Sequence, residues 1–97
     1  MRKFVIEREL PGIGDAGNND LRDAAKRSNG VLAELGPGIQ WVHSYVVGDR
    51  TFCIYLAEDE SLIQRHAELS GFPANRVYEV KRIIDPTTAS AVARLRS

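Results

Sequence analysis

Two short segments that alternate between side-chain types, residues 41–47 and 51–56, constrain the fold more than any other feature of the chain. Successive strand side chains point to opposite faces, so such alternation specifies two half-buried strands, and the intervening Gly48-Asp49-Arg50 joins them as a hairpin. With all three residues in the loop, Val47 pairs with Thr51, Tyr45 with Cys53 and His43 with Tyr55. That register puts Trp41, His43, Tyr45, Cys53 and Tyr55 on one face. Val42, Ser44, Val46, Phe52, Ile54 and Leu56 fall on the other, which has the composition of a face packed under helices. The first face gathers an imidazole, a thiol and two phenols. Loop length decides the matter, because a one-residue slip exchanges the faces.

Around the hairpin the pattern reads strand, helix, strand, strand, helix, strand. Residues 3–9 form the first strand, with Phe4 and Ile6 on one face and Val5, Glu7 and Glu9 on the other. Glycines and asparagines over 11–19 make a loop. Leu21, Ala24, Ala25, Ser28, Leu32 and Leu35 then recur at helical spacing, with Asn19 or Asp20 as cap and Gly36-Pro37-Gly38 as terminator. A second helix opens at Glu58-Asp59, carries Leu62, Ile63, His66 and Ala67 on one stripe, and closes at Gly71. Residues 76–84 read as the last strand, and Asp85-Pro86 introduces a short terminal helix over 87–95. Residues 1–97 therefore form one domain. The βαββαβ order predicts a ferredoxin-like α+β sandwich, a four-stranded antiparallel sheet with both helices on one face. Its other face is bare, and a homodimer is the commonest way to cover it.

Composition removes several function classes. The 13 basic and 13 acidic residues cancel, which leaves no basic excess to displace counterions from a nucleic acid or an anionic membrane. No apolar run approaches the roughly 20 residues of a membrane span, and the basic start meets charge again too soon for a signal peptide. The single cysteine cannot form an internal disulfide, and a reducing, cytoplasmic location is the simplest expectation. No phosphate-binding loop, serine elbow or paired CxxC is present.

Glu7-Arg8 with Leu10-Pro11-Gly12, Ser28-Asn29, the run from Leu35 to Tyr45, Cys53-Ile54-Tyr55, Gly71-Phe72-Pro73-Ala74 and Ile84-Asp85-Pro86-Thr87-Thr88 keep one order along nearly the whole chain. In these blocks the sequence resembles the small bacterial nickel-binding, nickel-responsive family long filed as a domain of unknown function. The resemblance implies a ferredoxin-like homodimer and Ni²⁺ as the ion. The loop 14–19 and the tail after Thr88 are longer than the family minimum, so surface metal sites in those regions do not carry over.

Read as residues, His43 and Cys53 are the first candidate metal ligands, followed by Glu7 and His66. Each has an ordinary structural reading: a hydrogen-bonded strand histidine, a small buried hydrophobe, a solvated or arginine-paired carboxylate, and a packing histidine in the helix layer. Imidazole with thiolate or carboxylate suits Ni, Cu, Zn or Fe, and the affinity series does not select nickel, so Zn²⁺, Cu²⁺ and Co²⁺ stay open beside Ni²⁺. Trp41, Tyr45 and Tyr55 read as pocket or interface aromatics, and Glu79 as a carboxylate near them. Three functions follow. The leading one is a non-enzymatic nickel-binding protein for buffering, storage or response. The second is a dimeric α+β-barrel enzyme, a cofactor-free monooxygenase or isomerase that uses His43 with Glu7 or Tyr55 on an aromatic molecule. The third is a ligand-sensing or interaction module.

Overall fold

The computed structural model describes residues 1–90, and within them the predicted order holds. Strand β1 (Arg2–Glu9) leads through a 3-10 turn, Ile13–Asp15, into helix α1 (Asn18–Leu35). The hairpin β2 (Ile39–Val47) and β3 (Arg50–Ala57) follows, then α2 (Glu60–Ser70), β4 (Arg76–Glu79) and a 3-10 helix, Pro86–Ser90. The sheet order is β2-β3-β1-β4, and every pairing is antiparallel. This is the ferredoxin-like α+β sandwich. The terminal helix expected over 87–95 is a 3-10 turn as far as Ser90; its remainder lies outside the described residues.

Local chemistry explains the boundaries. The Asp59 carboxylate accepts from Ser61 N at 2.8 Å and caps α2, and Gly71, at φ +78°, ends it by returning its N–H to the Ala67 carbonyl. Helix α1 begins a residue or two before the expected Asn19 or Asp20 cap, behind Gly17, which offers no side chain for capping. Strand β4 is shorter than residues 76–84, since pairing with β1 ends when Val80 N donates to Lys3 O.

The hairpin register differs from the expectation, and the cause is the loop. Val47 pairs with Arg50, so the turn is the two residues Gly48-Asp49, and Gly48 takes the positive φ of +58° that a type II′ turn needs at its first central position. Val46 therefore meets Thr51, Tyr45 meets Phe52, Ser44 meets Cys53 and His43 meets Ile54. A bulge at Val42 then shifts the register by one residue and sets Trp41 opposite Tyr55, a pair the expected register did not contain, although it had placed both on one face. Trp41 Nε1 donates to Ser44 Oγ at 2.9 Å and pins the bulge.

Phe4, Ile6, Ile39, Cys53, Tyr55, Ala57 and Ile63 form the core between sheet and helices. Phe52, Ile54 and Leu56, expected beneath the helices, occupy the open face with His43 and Tyr45. The core is uneven. The second half of α1 sends Val31, Leu32 and Leu35 inward, whereas its first half offers only Leu21, Ala24, Ala25 and Ser28. Opposite that first half the sheet also carries small side chains, Ser44, Thr51 and Cys53. Small residues on both walls leave the interior hollow there.

Candidate functional site

The hollow is a pocket of about 470 Å³ between the sheet and the first half of α1, within the range of small-molecule sites. Its mouth is walled by the loop after β1, which is tied to the hairpin turn. Leu10 N donates to Asp49 O at 2.8 Å and Gly12 N to Asp49 Oδ1 at 3.0 Å. Leu10, Pro11, Ile13, Leu21 and Val46 make much of the lining apolar.

Polar groups converge at one end. Ser28 Oγ lies 3.3 Å from the Tyr55 hydroxyl and 3.0 Å from His66 Nε2, and the Tyr55 hydroxyl lies 3.5 Å from the same nitrogen. Arg8 joins them because it shares the face of Phe4 and Ile6, and it is only 2% exposed. Its Nη1 donates to the carbonyls of Phe72 at 3.2 Å and Pro73 at 2.8 Å, and the guanidinium lies over the Phe72 ring; among the described residues Nη2 has no hydrogen-bond partner. Burial, with the Arg8 charge second, pushes the His66 imidazole down to about 4, so it is neutral at pH 7. Burial raises the Tyr55 phenol, which stays protonated.

The four predicted ligands do not meet. His43 is exposed on the open face, where its Nε2 is 3.0 Å from the Tyr45 hydroxyl and the rings stand edge to face. Cys53 is buried on the opposite face, with Sγ donating to Thr51 Oγ1. The shared face assigned to His43, Cys53 and Tyr55 is thus corrected by the two-residue turn. Glu7 does lie on the open face, but β3 separates it from β2 and its carboxylate is 3.3 Å from Arg50. Two strand spacings, about 10 Å, part the strands that carry Glu7 and His43. His66 is 1% exposed inside the helix layer. Among the described residues, no group of three or more His, Cys, Asp and Glu side chains could hold a metal ion. Among the described residues, the donors of one chain are therefore not gathered into one metal site.

The other candidates divide in the same way. Trp41 and Tyr55 stack with ring centres 6.5 Å apart and line the interior pocket. Tyr45 instead borders a shallow depression on the open face with Val5, His43 and Ile54. Glu79 is at neither place; it pairs with Arg2 at 3.2 Å and Lys81 at 3.5 Å on β4, at the sheet edge. The acid-base pair of His43 with Tyr55 is excluded because the two occupy opposite faces, and that with Glu7 by the intervening strand. Arg8 is the residue that the pattern offered and the functional reading passed over: an arginine in the parity of Phe4 and Ile6 must be buried.

The Ser28–His66 contact has the length of a nucleophile–base pair, but His66 Nδ1 has no partner, so no carboxylate orients the ring. An imidazole titrating near 4 is also a weak base at neutral pH. The group is a buried hydrogen-bond network.

Fold and site together define a ferredoxin-like sandwich with an interior pocket under one helix and an apolar open sheet. A family model described as "Nickel responsive protein SCO4226-like" matches residues 4–80, and the chain belongs to that family. The crystal structure of SCO4226 from Streptomyces coelicolor A3(2) is similar, with a TM-score of 0.70 and 18% identity, and the match covers 84% of this chain and 99% of that one. No curated protein matches.

Proposed function

We propose that the protein carries out no chemistry of its own and binds nickel at its surface as a homodimer, with His43 as first ligand and the ion as cargo or signal. The position of His43 carries this reading. Of the four donors weighed, it alone has an exposed side chain, whereas Cys53, His66 and Glu7 are buried. One imidazole does not hold Ni²⁺, which takes several nitrogen, sulfur or oxygen donors, and a second copy is the simplest source of the rest. The face around His43 suits such a copy. Val42, Tyr45 and Tyr78 are about half exposed there, at 48%, 56% and 48%, beside Val5 and Ile54. An apolar face of this kind favours a partner, and a two-fold axis across it presents both copies of His43 to one interface. The family description supports nickel over Zn²⁺, Cu²⁺ or Co²⁺. The missing orienting carboxylate at His66 supports a role without catalysis. A cytoplasmic location fits the one free cysteine.

Calorimetric titration of the reduced, tag-free protein with the four ions, repeated on His43→Ala and Cys53→Ser, tests the proposal. Stoichiometric Ni²⁺ binding is expected in the wild type and in Cys53→Ser, and loss in His43→Ala. Binding that survives His43→Ala moves the site elsewhere; no binding by the wild type ends the metal reading.

A further inference from the structure

We infer that the interior pocket is a binding site for a small monocarboxylate with an aromatic or branched apolar body, whose carboxylate meets the end formed by Arg8, Tyr55 and Ser28. The inference does not depend on nickel.

The unmatched guanidinium is the starting point. Burying a cation costs several kcal/mol unless an opposite charge or a full set of acceptors compensates it. Arg8 is 2% exposed, and among the described residues no carboxylate pairs with it. A guanidinium has five N–H donors in a fixed fork, and here two backbone carbonyls occupy Nη1 while Nη2 has no hydrogen-bond partner among the described residues. Arg8 is itself part of the pocket wall. Of the other charged side chains of β1, Glu7 is paired with Arg50 and Arg2 with Glu79.

The remaining lining narrows the ligand. Among the described residues no Asp, Glu or Lys lines the pocket, so Arg8 supplies its charge and a cationic ligand is disfavoured. Tyr55 and Ser28 contact each other, so one of their two hydroxyl hydrogens is left to donate next to that charge. A single guanidinium with one hydroxyl donor beside it matches one planar carboxylate, for which arginine is the suited partner. The apolar remainder, Leu10, Ile13, Leu21, Ala24, Ala25 and Val46, takes up a hydrocarbon or ring.

Trp41 is the single tryptophan and lies in the pocket wall against Tyr55, so its fluorescence reports occupancy directly. The wild type, in EDTA to exclude nickel, is titrated with 4-phenylbutanoate and with decanoate, each beside its primary amide. At least one acid should give a saturable change in Trp41 emission with at least tenfold tighter binding than its amide. Arg8→Met should lower that acid's affinity at least tenfold. If Arg8→Met fails to fold by circular dichroism, Ala25→Phe fills the pocket while keeping Arg8, and it should abolish binding. Acids and amides that bind alike, an acid affinity unchanged in the folded variants, or no response to either acid in Trp41 emission or in the amide NMR shifts of pocket residues would overturn the inference. Because nickel is absent throughout, failure here leaves the metal reading intact, and loss of the metal reading leaves this one intact.

Discussion

His66 stabilises the fold only while it is uncharged. Its pKa in the folded protein, about 4, lies below the ordinary 6.5, so between those values the unfolded chain binds more protons than the folded one. Stability is therefore level above pH 6.5 and falls as the pH drops toward 4. The shift corresponds to roughly 3 kcal/mol at most. Urea unfolding at pH 7.5, 6 and 4.5 should show that decline, and His66→Gln should flatten it while lowering stability at every pH. An unaltered pH slope in the variant would assign the loss to other groups. Arg8 teaches the complementary lesson about reading single residues. Its parity with Phe4 and Ile6 was legible in the sequence, but whether a carboxylate sits beside it depends on which loops pack nearby, and alternation carries no such information.

At the scale of elements, the two helices and four strands were legible because their periodicities and stop signals agree: Asp59 and Gly71 bracket α2, and Gly36 ends α1. The hairpin faces were not. They turn on whether Arg50 belongs to the loop or to β3, and both assignments leave a plausible alternation. A compensating bulge at Val42 is also invisible to a pattern that assumes a period of two. Because the bulge is one extra residue, deletion of Val42 should keep Trp41 opposite Tyr55 and His43 opposite Ile54. The deletion protein should fold and unfold cooperatively, with the cross-strand contacts of His43 to Ile54 retained in NMR spectra. Gly14→Ala should be worse tolerated than that deletion. A Cβ at Gly14 would lie 2.5 Å from the Gly48 carbonyl oxygen, so the loop tied to the hairpin turn must shift. A loss of about 1–3 kcal/mol is expected for such overpacking, read from the urea midpoint.

For the whole molecule, the two faces of the sheet differ: one closes over a pocket and the other leaves apolar side chains exposed. If the open faces meet, Ile54→Lys should give a folded monomer by sedimentation velocity with much reduced nickel binding, while binding in the interior pocket is kept. A dimer that persists in Ile54→Lys would place the interface elsewhere. The sheet order also sets a schedule. Strand β1 occupies a central position and pairs with β3 and β4, both distant in sequence. During synthesis its partner β3 is complete roughly 50 residues later, an interval on the order of 2–10 s at ordinary elongation rates. Phe4 and Ile6, fully buried in the finished protein, spend that interval as exposed apolar groups on a nascent strand. Slowed elongation through residues 10–57 would therefore lengthen the window in which this segment is open to chaperones or to aggregation, without changing the stability of the folded state.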